Sequence, residues 1–143
     1  MGGLNDIPVV TVADEVVSDT DITPAVQALL MELAERLEIF RRTGETHVID
    51  LRSLPMPVAE HELLREWLGV GEVRIELDSL GPTAIHETAY PGIWWVVHRN
   101  RDGEIMTQQV EVTACPEIIR SQQEDIHEGL QRLHEALPTG ESA

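Results

Sequence analysis

Six histidines and one cysteine are the residues of this chain most able to do chemistry. His127 and His134 stand two helical turns apart, too far to share one metal ion without a ligand from another element. No His-Glu-x-x-His pair occurs. His86 and His98 fall in neighbouring predicted strands. Across a paired ladder they could meet, with Glu87 or Glu111 beside them. Cys115 precedes Pro116 at a predicted helix start, where the helix dipole favours a thiolate. A site built on His86, His98 and Cys115 would bind metal or do thiol chemistry. Each of these residues also has an ordinary structural reading, as a hydrogen-bonded histidine or a small residue at a helix entrance. The carboxylates are spread over predicted helix faces, and no pair stands out as an acid and base couple. Gly69-Val70-Gly71 is too short to cradle phosphate and reads as a helix stop followed by a strand. The sequence therefore predicts no catalytic residue, no cofactor and no metal site, with His86, His98 and Cys115 as the alternative.

The aromatic residues are more informative. They make up only 3% of the chain, yet Trp67, Tyr90, Trp94 and Trp95 cluster, leaving Phe40 alone elsewhere. Trp94 and Trp95 follow a Pro91-Gly92 corner. Neighbouring side chains of a strand point to opposite faces. One indole is expected in the core and the other on the far face, under a helix or open to a partner. Exposed aromatics anchor interfaces. Tyr90, Pro91, Gly92, Trp94 and Trp95, with Glu87, form the candidate docking surface.

These residues must be positioned by a small domain. The chain has 143 residues, 42% hydrophobic and 25% charged, which suits one globular unit. The net charge of −16 opposes nucleic acid and anionic membranes and favours a basic partner. One cysteine allows no internal disulfide. Without a basic-then-apolar leader or a membrane-length apolar run, the expected location is the cytoplasm.

Residues 1–20 are expected to form an N-terminal arm or edge strand, 21–138 one domain, and 139–143 a tail. Thr23 and Pro24 start a helix whose apolar face carries Val26, Leu29, Leu30, Leu33, Leu37 and Phe40; Gly44 ends it. Thr46–Leu51 predicts a strand. Pro57 opens a second helix that Gly69 stops, with Leu64, Trp67 and Leu68 inward. Val73, Ile75 and Leu77 alternate with charged residues in a half-buried strand. Thr83–Tyr90, Ile93–Arg99 and Glu104–Val112 are further strands, the last two joined by a turn at Gly103. Pro116 should begin a last helix with Ile119, Ile126, Leu130, Leu133 and Leu137 on one stripe. The fold class is α+β: a single-layer, mainly antiparallel sheet of about five strands packed with about three helices. The connection through the second helix is long enough for a parallel crossover.

The stretch from about Leu63 to Arg120 resembles the HupH/HyaF family of hydrogenase expression proteins in their C-terminal region. The resemblance rests on Leu68-Gly69, Gly71-Glu72-Val73, Ile85, Glu87-Thr88, Gly92-Ile93-Trp94 and Pro116, in that order. The short chain is similar to the small HupJ-type members. Cys115 and Trp95 are outside the family pattern. The resemblance implies a non-catalytic accessory protein for making [NiFe]-hydrogenase. Its expected partner is the iron–sulfur small subunit before export, or another maturation protein, with a homodimer as the other use of the same surface.

Overall fold

Thr23 starts the first helix as its residue type predicts. Its hydroxyl accepts the Val26 N–H at 3.2 Å, and helix α1 runs Pro24–Thr43. Gly44 ends it in the left-handed conformation, φ 82°, donating its N–H to Phe40 O. The computed structural model describes residues 22–138. The expected arm of residues 1–20 and the tail 139–143 lie outside them. Strand β1 is His47–Asp50. Helix α2, Val58–Leu68, follows Pro57 and stops at Gly69. Strands β2 (Arg74–Asp78), β3 (Pro82–Glu87), β4 (Ile93–Arg99) and β5 (Ile105–Val112) come next. Helix α3, Gln123–Ala136, closes the described chain.

The fold is α+β, with three α-helices and a five-stranded sheet among the described residues. The strand order is β1-β5-β4-β3-β2, and every neighbouring pair is antiparallel. The crossover expected through α2 makes no parallel pair. β1 and β2 run the same way but occupy opposite edges of the sheet, so α2 carries the chain across one face between them.

Strand alternation sorts the core into two. Ile93, Trp95, Val110, Val112 and Ile49 face α1 and α2, where Val26, Leu29, Leu33, Leu64 and Leu68 cover them. On the opposite face, Ile85, Trp94 and Val96 pack with Ile75, Leu77 and Ile119.

The C-terminal segment differs from expectation. Pro116 opens a 3-10 turn, Glu117–Ile119, not the last helix. Arg120 is extended, φ −84° and ψ 137°, which releases Ile119 from the helical stripe and lets it lie on the second apolar cluster. α3 begins at Gln123 and, among the described residues, has no buried side chain. Its Ile126, Leu130 and Leu133, and Leu137 just beyond its end, are each about half exposed. The buried helical side chains of the core come from α1 and α2. Periodicity announces an apolar face but does not say what covers it.

Candidate functional site

Tyr90-Pro91-Gly92-Ile93 is a tight turn. Ile93 N–H donates to Tyr90 O at 3.0 Å, and Gly92 takes φ 97°, the conformation a type II turn needs after proline. Thr88, buried, clamps the corner from below. Its hydroxyl accepts the Tyr90 N–H at 3.1 Å and donates to Tyr90 O at 3.2 Å. Ala89 N–H donates to Leu68 O, Gly71 N–H to Glu87 O, and Thr113 N–H to Gly92 O. The end of α2 and the ends of β3, β4 and β5 are thus tied into one knot of backbone hydrogen bonds. Gly71 permits the close pass: a Cβ there would meet the Thr88 carbonyl.

The knot fixes the edge of an apolar groove of about 340 Å³. Leu30, Ala34 and Leu37 of α1 form one wall, Trp67 of α2 the other, and Tyr90 stands at the corner. Tyr90 is 50% exposed. The sequence places Leu30 and Leu37 on the core face of α1. The structure leaves both partly buried, because the apolar stripe of α1 is wider than the area the sheet covers. That excess width is the sequence signal for the groove.

The tryptophans correct the expected docking surface. They do face oppositely, but neither is open: Trp95 is 1% and Trp94 5% exposed. Trp95 lies in the helix-covered core. Trp94 lies on the other face, where Ile119 of the 3-10 turn packs on its cluster. Its indole Nε1–H donates to Thr113 O at 3.0 Å. A short turn rather than a helix does the covering. Of the candidate residues, Tyr90 and Pro91 remain exposed, Gly92 and Glu87 are half-buried, and Trp94 and Trp95 are interior.

Register also separates the two histidines of the histidine and cysteine alternative. His86 stands opposite Trp95 in the β3–β4 ladder, so it shares the helix-covered face. His98 stands opposite Thr83 and Thr107, on the other face, with its Nδ1 2.6 Å from Thr83 Oγ1. The sheet separates the two histidines. Cys115 is half-buried after β5, its backbone N–H bonded to Thr113 Oγ1. Among the described residues no three His, Cys, Asp or Glu side chains gather as a metal cage.

Glu87 and Glu111 flank Trp94 on its own face, one on each neighbouring strand. Burial, and then the Glu117 carboxylate, push the Glu111 pKa above its ordinary value. The folded protein thus holds this proton at a pH where the unfolded chain has released it. Stability falls as pH rises from the unfolded value, 4.5, through the folded one. Glu111→Gln should raise Tm at neutral pH, and the gain should vanish once the pH drops below the unfolded value. Melting curves across that range check it; a gain that persists in acid would point to packing instead.

The model of the HupH hydrogenase expression protein family, C-terminal conserved region, matches residues 24–139. The chain belongs to this family. The match reaches well beyond the Leu63–Arg120 stretch that carries the sequence resemblance, taking in α1 and β1 before it and α3 after it. The chain is 37% identical over 100 residues to the hydrogenase expression/formation protein HupQ of Azotobacter chroococcum, covering 70% of this chain and 34% of that protein. It is 32% identical over 110 residues to HoxQ of Cupriavidus necator, covering 77% of this chain and 39% of that one. The chain therefore spans well under half the length of these curated relatives. A solved structure of the hydrogenase expression protein HupH from Thiobacillus denitrificans matches with a TM-score of 0.73 and 40% identity, covering 78% of this chain and 92% of that chain. The HupH-like residues Leu68, Gly71, Glu87, Thr88 and Gly92 are those of the backbone knot. In this chain, then, the residues that carry the resemblance build the corner that holds Tyr90 against the groove.

Proposed function

We propose that this chain is a non-catalytic assembly chaperone for [NiFe]-hydrogenase, holding the iron–sulfur small subunit in the cytoplasm before export. One observation carries the reading. An apolar groove, edged by a half-exposed tyrosine on a rigid corner, opens on a protein of net charge −16. An apolar side chain of the client fills the groove. The acidic surface speeds encounter with the basic leader of an exported subunit and disfavours nucleic acid. The relatives are hydrogenase expression/formation proteins, which supports a maturation role. No helix of the described residues is long and apolar enough to cross a membrane, which fits a client met before export. The same groove is the place where a second copy would sit, but two chains of this charge repel each other, which favours the client.

The test is recovery of the small subunit, signal segment attached, on the tagged chain in its native host with hydrogenase expression switched on. Tyr90→Ala and Ala34→Arg alter groove residues that are exposed, so both should fold. Each should weaken client binding by about 2 kcal/mol, close to thirtyfold. Added salt should slow association. Unchanged binding by both variants would remove the groove from the reading. Recovery of the chain alone would remove the client.

A further inference from the structure

Strand β2, Arg74–Asp78, ends the sheet, and among the described residues nothing pairs with its outer side. The hydrogen-bond pattern says which backbone groups lie open there. Glu87 N–H donates to Val73 O at 2.9 Å, and Ser79 N–H to Gly81 O at 3.0 Å. Val73 and Ser79 thus point their backbone groups inward, and by alternation so do Ile75 and Leu77, which pair with Ile85 and Thr83 of β3. Arg74, Glu76 and Asp78 turn their N–H and C=O groups to the open side. Pro82, which has no N–H to give, stands opposite Asp78, where the ladder asks for none.

The side chains of this edge carry charge in a definite order. Arg74 stands opposite His86, and His86 opposite Trp95, so Arg74, Glu76 and Asp78 project on the helix-side face, where all three are exposed. Among the described residues none of them is in an ion pair. Ile75 and Leu77 project on the other face, half-buried, at the margin of the Trp94 cluster.

Charged side chains ordinarily guard an open edge, because an incoming strand would set like against like. Here the signs run plus, minus, minus. Turned end for end and laid against itself with all five residues overlapping, β2 sets Arg74 against Asp78 of the second copy, and Asp78 against that copy's Arg74. Ile75 meets Leu77 on the far face and extends the apolar cluster. Only Glu76 meets its like, at the centre. Opposite charges directly across a ladder stabilise the pairing, and like charges oppose it. The net charge of −16 acts against self-association anywhere on the surface. At this edge it is met by backbone hydrogen bonds and two ion pairs, which the apolar groove does not supply.

We propose that the protein pairs with a second copy of itself through this edge, β2 against β2, antiparallel about Glu76, joining the two sheets into one. The contact is two-fold symmetric and closed. No residue of β2 lines the Tyr90 groove, so each copy keeps its groove open.

The full chain is run in sedimentation equilibrium from micromolar to millimolar concentration at physiological salt, where a monomer–dimer equilibrium should appear. Arg74→Asp sets acid against acid at both ends of the pairing and should weaken it at least about tenfold. Arg74→Asp combined with Asp78→Arg restores both ion pairs and should return the affinity to within about threefold of the parent chain. Glu76→Gln removes the one like-charge contact and should tighten the dimer about threefold. All three side chains are exposed, so the variants should fold, and unchanged melting curves at dilution check it. A chain that stays monomeric at millimolar concentration, a double variant that recovers nothing, or a dimer loosened by Glu76→Gln overturns the proposal. So does a dimer that survives Arg74→Asp but is lost in Ala34→Arg or Leu130→Glu, which would seat the second copy on the groove or on α3.

Discussion

Trp95→Ala should lower the unfolding free energy by about 3–5 kcal/mol, seen as a fall in the urea midpoint with an unchanged slope. The indole is 1% exposed and joins both helices to the centre of the sheet: Leu33, Leu64, Leu68 and Val110 share its cluster. Helices and strands around it are held by other contacts too, so the site cannot collapse to fill the space. Its N–H is buried without a partner, so its removal relieves a desolvation penalty of about 1–3 kcal/mol, and the net loss should fall toward the low end of the about 3–5 kcal/mol expected. Trp94→Ala should also destabilise, but for a second reason besides volume: Thr113 O loses its donor. The pair of variants separates two roles. If Trp94→Ala leaves the urea midpoint where it was and abolishes client binding, the second face is a docking surface and Ile119 only rests on it. A large stability loss places Trp94 in the interior, where the structure has it.

Gly81→Ala is the second large loss. Gly81 has φ +122°, a region closed to side chains, which costs about 1–3 kcal/mol in backbone strain. A Cβ there would also meet the Arg99 carbonyl, with Asn100 Cα at 3.1 Å. That overlap adds about 1–3 kcal/mol. The turn already contains Leu80 at φ 56°, an uncommon conformation for leucine. Two such residues in sequence leave the β2–β3 turn no slack to absorb a methyl group. The expected result is a Tm many degrees lower, with loss of order first in β2 and β3. A Tm equal to that of the parent chain would show that the turn can rearrange freely.

Much of the local structure is legible in the residues. Thr23 and Gly44 bound α1, Gly69 stops α2, and Gly103 makes the β4–β5 turn at φ 87°. Ile93–Arg99 is the strand its sequence predicts. These features depend on interactions within a few residues, which any chain with the same segment would make. The groove is legible only as a hint, in the width of the α1 stripe, because its second wall comes from α2 and its corner from the β3–β4 turn.

The sequence by itself determined that Trp94 and Trp95 would face opposite ways, since alternation is a property of one strand. It also determined the acidic surface and the lack of any recognisable catalytic motif. Only the tertiary structure decided that both indoles are covered, that His86 and His98 lie on opposite sides of the sheet, and that no side chain of α3 is buried among the described residues. Covering and facing are relations between segments far apart in the chain. They follow from the antiparallel register of β3 with β4 and from the extended backbone at Arg120 that draws Ile119 over Trp94. No local pattern encodes such a relation, because a one-residue change of register would reverse it.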